Sequence, residues 1–442
     1  MRVGGTVRVP GDKSITHRAL LFGALSGGTS RVGGALTSLD ARSSARVLRQ
    51  LGAEISPLRA GQVVSIRGRR RLARPAAVLD CGNSGTTTRL LLGILAGHRF
   101  SATLTGDASL RRRPMRRVTG PLGQMGARFI EHGGDGLPLT VRGGALTPLR
   151  YEMPVSSAQI KSAILLAGLT GGVEVELREP HGRSRDHTER LLRAFGYPVI
   201  EREGWILFRP SGALEPFEIQ VPGDPSSAAF LVGAAALAEG GELRVAEVGV
   251  NPTRIGFLGV LARMGVRVDL ASPTEQFGEP VADLLVRPAE LRATEVHPGE
   301  IPGLIDEIPL LAVLASRAEG TTVFRQVGEL RVKESDRLGL IAENLRSVGA
   351  RAEVSGDDLY VEGGQAAPRG RVRTAADHRL AMAFAVLGTL PGARVSIDDM
   401  ACAAVSFPNF PETLRGIRTP GVGLPSTRLS GTRLPGTRRE SA

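Results

Sequence analysis

Five times along the chain an amphipathic run, apolar at helical spacing, ends on a glycine and passes into a short strand-like stretch. The runs close as Val47-Leu48-Arg49-Gln50-Leu51-Gly52-Ala53, Leu122-Gly123-Gln124-Met125-Gly126-Ala127, Leu192-Arg193-Ala194-Phe195-Gly196-Tyr197, Leu261-Ala262-Arg263-Met264-Gly265-Val266 and Leu345-Arg346-Ser347-Val348-Gly349-Ala350. A glycine just past a helix end tolerates the left-handed backbone that such a cap requires. The glycines are spaced 74, 70, 69 and 84 residues apart, room for one βαβ-plus-hairpin module each. A degenerate sixth copy is predicted from Val395 through Phe407 to Leu414.

A second echo is longer in range. Pro10-Gly11-Asp12-Lys13-Ser14 and Pro222-Gly223-Asp224-Pro225-Ser226-Ser227 each precede a helix of small apolar residues, Ala19–Leu25 and Ala228–Ala234. The pattern predicts an α/β protein of two similar domains, three modules in each. From Thr419 to Ala442 the chain repeats Gly, Pro, Ser, Thr and Arg with almost nothing to bury, so a disordered basic tail is expected there.

Composition narrows the function. No apolar run reaches the roughly 18 residues of a membrane span, and Met1-Arg2-Val3-Gly4-Gly5 lacks the features of a signal peptide. Two cysteines, Cys81 and Cys402, make neither a disulfide framework nor a zinc cage, and the seven histidines show no ligand spacing, so no metal and no cofactor is expected. A cytoplasmic protein is the expectation. The net charge is +12, and the tail, with four arginines and one glutamate, leaves +9 elsewhere. Such a charge suits nucleic acid, although aromatics at 4% are too few for stacking platforms. It equally suits small polyanionic substrates. Only Lys13, Lys161 and Lys333 are lysines; the other 53 basic residues are arginine. A compact, rotatable ammonium is not replaceable by a planar guanidinium, so lysines that survive such a bias mark candidate chemistry.

The chemistry-bearing clusters share cations at predicted helix starts. Gly11-Asp12-Lys13-Ser14-Ile15-Thr16-His17-Arg18 offers two cations, a hydroxyl and helix N–H groups to a phosphate or carboxylate, although a capped helix with exposed charges reads the same way. Asp80-Cys81-Gly82-Asn83-Ser84-Gly85-Thr86 lets backbone approach an oxyanion but lacks the Gly-Lys-Ser/Thr of a nucleotide loop. Arg111-Arg112-Arg113 by itself is an ordinary solvated run, and Ser156-Ser157-Ala158-Gln159 an ordinary helix cap with groups able to read a hydroxylated ring. In Arg331-Val332-Lys333-Glu334-Ser335-Asp336-Arg337, five charges fall in seven residues. Asp377-His378-Arg379 heads an apolar helix, and Asp306-Glu307 interrupts an apolar run, a setting for a general base of tuned proton affinity.

In this order the motifs closely resemble the 5-enolpyruvylshikimate-3-phosphate (EPSP) synthase family, the 3-phosphoshikimate 1-carboxyvinyltransferases, over Arg2 to Arg415. The resemblance implies the enolpyruvyl transferase fold, an inside-out α/β barrel of two domains with three βαβαββ repeats each. The domains would be residues 12–222, and 1–11 plus 223–418, with crossovers near Gly11-Asp12 and Pro222-Gly223. It implies transfer of the enolpyruvyl group of phosphoenolpyruvate to the 5-hydroxyl of shikimate 3-phosphate, without cofactor, nucleic acid or membrane, by a monomer. Carried over by position, Lys13, Ser14, Arg18, Ser157, Gln159, Ser184, Arg185 and Lys333 would hold shikimate 3-phosphate. Gly85, Arg113, Arg337 and Arg379 would grip phosphoenolpyruvate, with Lys13 and Gln159 touching both substrates. Asp306 would be the base on the 5-hydroxyl and Glu334 the proton donor to the enol methylene, with Lys13 also catalytic. Two departures stand out: Val405 occupies the place of a frequent lysine before Ser406-Phe407-Pro408, and Glu329 that of a frequent amide. Other readings are a UDP-N-acetylglucosamine enolpyruvyl transferase, disfavoured because Ser14 follows Lys13 and the loop at 105–114 has no cysteine, or a basic nucleic-acid-binding protein.

Overall fold

In a computed structural model, residues 1–180, 182–364 and 366–418 are described, so the predicted disordered tail lies outside them. All five predicted cap glycines are left-handed, with φ of +94° at Gly52, +107° at Gly126, +84° at Gly196, +93° at Gly265 and +90° at Gly349. A side chain at any of them would meet the Cβ penalty of that region. Each glycine ends an outer helix that buries one face. Helix Leu39–Gln50, for instance, buries Ala41, Ala45 and Leu48 and exposes Arg42, Arg46 and Arg49.

A complete unit runs strand Leu79–Asp80, helix Gly85–Ala96, strand Ser101–Thr105, helix Arg116–Gln124, then strands Arg128–Glu131 and Leu139–Arg142. Its sheet places the first strand parallel to the second, while the closing pair is antiparallel. The same order recurs in the sheets beginning at Leu149 and at Glu295. In the two remaining four-stranded sheets the parallel edge strand is distant in sequence and lies just before one of the two passages between the halves. Glu218–Gln220 joins Thr29–Gly33, and Thr6–Arg8 joins Leu243–Gly249. The sixth copy supplies strand Arg394–Ile397, paired with Arg369–Val372, and helix Phe410–Gly416; among the described residues no antiparallel pair completes it.

Two clusters of buried side chains result, one from Ile15 to Val221, the other from Val3 and Val7 together with Ala228 to Ile417. At the centre of each are inner helices apolar all round: every residue of Pro225–Ala236 and of Ile308–Ala315 is buried. Helices Gly85–Ala96 and Ala158–Gly171 touch so closely that a Cβ on Gly93 would lie 2.0 Å from the Ala163 carbonyl oxygen. The two passages between the halves run side by side, Asp12 N–H donating to Pro222 O at 2.8 Å and Asp224 N–H to Pro10 O at 2.9 Å. Arg254 fastens them, reaching Asp12 Oδ2 at 2.7 Å and Asp224 Oδ1 at 3.2 Å.

Candidate active site

The inner helices begin at the cleft between the halves, several with a side-chain cap: Asp12 accepts from Ile15 N–H, Ser84 from Thr87, Asp224 from Ser226 and Asp377 from Arg379. These caps hold the predicted residues at the N-terminal ends of helices, where anions are favoured. Lys13 opens its helix; its backbone N–H reaches Asp224 Oδ2 of the other half at 2.9 Å, and its ammonium stands 3.4 Å from Asp40 Oδ2.

In the first half the buried arginines have neutral partners. Arg18 donates to Thr188 Oγ1 and Ser162 Oγ, both at 2.7 Å, and to Ser14 O at 2.9 Å. Arg113 donates to Asn83 Oδ1 at 2.7 Å while its buried Nε has no partner among the described residues. Its neighbours Arg111 and Arg112 are exposed, so the triple-arginine run is a solvated face at two positions of three. Arg89, which sequence reasoning left without a role, donates to Gln159 Oε1, and Gln159 Nε2 donates to Thr86 Oγ1 at 3.0 Å. The signal for it was an arginine four residues into an apolar helix. Burial, with Arg117 and Arg113 nearby, lowers its guanidinium to about 10. A Cβ on Gly85 would stand 3.2 Å from Arg113 Nη1. Ser157 and Ser14 line the cleft half-buried.

In the second half the cations are already neutralised. Arg337, fully buried, holds Asp377 Oδ2 at 2.7 Å, Glu334 Oε2 at 2.5 Å and Asp306 Oδ1 at 3.3 Å. Arg379 reaches Asp306 Oδ2 at 3.2 Å and its carbonyl oxygen at 3.0 Å. Across the cleft Arg185 also pairs with Asp306. Burial alone would raise the Asp306 carboxyl, but Arg379, Arg185 and Arg337 outweigh it and hold it well below the usual range. The expected tuning is therefore downward. Glu307 goes the other way, raised by burial and by Asp306 beside it. Glu334 is held low too, Arg337 foremost and then Arg113 overcoming its burial. His378, buried close to Lys13 and Arg379, is pushed down to about 3, and its Nε2 has no partner among the described residues.

Other contacts cross the cleft. Arg117 forks onto Glu329 at 2.8 and 3.2 Å and Ser109 donates to Glu334 O at 3.3 Å; within the second half Lys333 stands 3.8 Å from Glu329. Glu329 is thus an ion-pair partner. Val405 ends the turn Ala401–Val405, which packs on helix Leu39–Gln50 of the other half. Ser184 is buried and donates its hydroxyl to Glu179. Lys161, one of the three rare lysines and two residues past Gln159, lies wholly buried between Glu179 and Glu189, behind Ser184. Its place on the inner helix turns it into the core of its own half.

Residues 1–414 match the family model described as EPSP synthase (3-phosphoshikimate 1-carboxyvinyltransferase). The chain is 46% identical over 418 residues to a 3-phosphoshikimate 1-carboxyvinyltransferase of Geobacter sp. (strain M21), covering 94% of this chain and 97% of that one. It is 48% identical to the protein of that name from Synechococcus sp. (strain RCC307), covering 92% and 95%. Among solved structures it is similar to the EPSP synthase of Acinetobacter baumannii, with a TM-score of 0.83, 39% identity and coverage of 94% and 96%. The enolpyruvyl transferase NikO of Streptomyces tendae shares the fold, with a TM-score of 0.77 at 20% identity, covering 94% and 95%. Among the described residues no helix is long and apolar enough to cross a membrane.

Proposed function

Because the chain belongs to the EPSP synthase family, we infer that it moves the enolpyruvyl group of phosphoenolpyruvate onto the 5-hydroxyl of shikimate 3-phosphate and releases phosphate. The observation that carries this reading is the ring of cations from both halves around Asp306 and Glu334, built to receive two anionic substrates at once. The readings as a UDP-N-acetylglucosamine enolpyruvyl transferase and as a nucleic-acid-binding protein are not favoured beside such relatives.

Lys13, Ser14, Arg18, Ser157, Gln159, Ser184, Arg185 and Lys333 would bind shikimate 3-phosphate; Gly85, Arg113, Arg337 and Arg379 would bind phosphoenolpyruvate, with Lys13 and Gln159 in reach of both. The 5-hydroxyl oxygen attacks C2 as Asp306 takes its proton and C3 gains one from Glu334, giving a tetrahedral adduct. Loss of a C3 proton with expulsion of phosphate from C2 then restores the enol ether. Both carboxyls are ionised while arginines hold them. Anionic substrates that draw those guanidiniums away raise the carboxyls' affinity for protons, which activates Asp306 as a base and lets Glu334 carry a proton to give. Closure of two domains, 12–222 against 1–11 with 223–418, excludes water that would compete for the activated C2. The enzyme is proposed to act as a cytoplasmic monomer on these two small molecules alone. Phosphate release in the presence of both substrates tests the reading; release no greater than with either one alone overturns it.

A further inference from the structure

Lys161 is the one lysine that the mechanism leaves unused. It is 1% exposed, in a chain with 53 arginines and three lysines. Its ammonium reaches Glu189 Oε1 at 2.8 Å, Glu179 Oε2 at 2.9 Å and Ser184 O at 3.2 Å. Glu179 in turn accepts the Ser184 N–H at 3.2 Å and the Ser184 hydroxyl. Ser184 is thus gripped at its nitrogen, carbonyl oxygen and hydroxyl by one ion pair. Arg18 lies in the field of Glu189, so Lys161 and Arg18 balance the two buried glutamates. A flat guanidinium in place of the ammonium cannot spread three donors around one point in so closed a space.

We propose that Lys161 is a positioning residue for substrate binding: it compensates Glu179, so that this carboxylate can surrender the Ser184 hydroxyl to the phosphate of shikimate 3-phosphate. The inference rests on the placement of Ser184 in that substrate's site. A phosphate accepts hydrogen bonds and cannot use a hydroxyl whose hydrogen points at Glu179. Binding therefore needs a rotation about Cβ–Oγ, with the backbone of Ser184 held still. While Lys161 stays on Glu179, that rotation gives up one hydrogen bond and leaves no bare charge. Without Lys161 the carboxylate has, among the described residues, Ser184 alone and keeps it.

Two double variants, each removing one positive and one negative charge, separate this role from a structural one. Lys161→Met/Glu189→Gln leaves Glu179 uncompensated on Ser184, and shikimate 3-phosphate should bind roughly tenfold more weakly by calorimetry. Lys161→Met/Glu179→Gln frees the hydroxyl and should stay within about threefold of wild type, while the KM for phosphoenolpyruvate moves by less than about twofold in both. Equal losses in the two variants, or a phosphoenolpyruvate KM that shifts as far, would overturn the proposal. A wild-type protein that binds no shikimate 3-phosphate would instead sink the functional reading on which it rests.

Discussion

The two halves repeat one architecture but treat their buried arginines in opposite ways. In the first half Arg18, Arg89 and Arg113 lean on hydroxyls, amides and carbonyls, and among the described residues no carboxylate is paired with them directly. In the second, Arg337 and Arg379 sit among Asp306, Glu307, Glu334 and Asp377. One half thus presents cations without a paired carboxylate. In the other every such cation is already paired with carboxylates, so an anion that enters there must displace one, and that displacement would change the protonation of the group displaced.

The sharpest way to break this contrast is to remove one arginine from each half. Arg337→Met takes a shared partner from three carboxylates and should cost about 3–5 kcal/mol of stability, whereas Arg113→Met deletes a buried cation with no carboxylate paired to it and should cost under about 1 kcal/mol. Urea unfolding midpoints compare the two; equal losses would erase the distinction. Next in size, Lys13→Arg should lower kcat by roughly a hundredfold or more, while the exposed Arg351→Lys leaves it unchanged; an active Lys13→Arg enzyme shows that any cation suffices there. Gly85 sharpens the side of the first half. With no side chain at Gly85 to crowd Arg113, the enzyme should be sensitive to glyphosate, whose phosphonate mimics the phosphate of phosphoenolpyruvate. Gly85→Ala should therefore raise the inhibitory concentration by roughly tenfold; unchanged inhibition places the phosphonate elsewhere.

The smallest effect concerns acid. Asp306 and Glu334 have folded-state proton affinities below their unfolded values. Their contribution to stability is fully present above the ordinary carboxylate range of about 4, and is lost as pH falls through the depressed values. Without ligand, stability attributable to them should hold from pH 7 down to about 5 and decline below about 4. Asp306→Asn should flatten that acid limb, and an identical limb in the variant would show that other groups set it.

The repeats were legible because the physics of a left-handed cap is local: Gly52, Gly126, Gly196, Gly265 and Gly349 announce five helix ends whatever packs around them. The sixth unit was faint because among the described residues it has no antiparallel pair like that of the other units. Motifs located most cleft residues, yet none of the pairings that set their charge state. Arg185 meets Asp306 across 121 positions and Arg254 meets Asp12 across 242, distances at which no spacing rule operates. Lys161 shows the limit most plainly. Its rarity flagged it, but only the turn of its helix decides that it faces Glu179 and Glu189 instead of the cleft.

The paired crossovers also impose a schedule on synthesis. Strand Thr6–Arg8 is made more than 230 residues before its partner Leu243–Gly249. Everything between closes on itself when Glu218–Gln220 returns to Thr29–Gly33. The first half is thus inserted within the second, and it is expected to fold cotranslationally while strand Thr6–Arg8 waits unpaired. An exposed strand edge held open for that interval is where a chaperone, or a second nascent chain, has its opportunity.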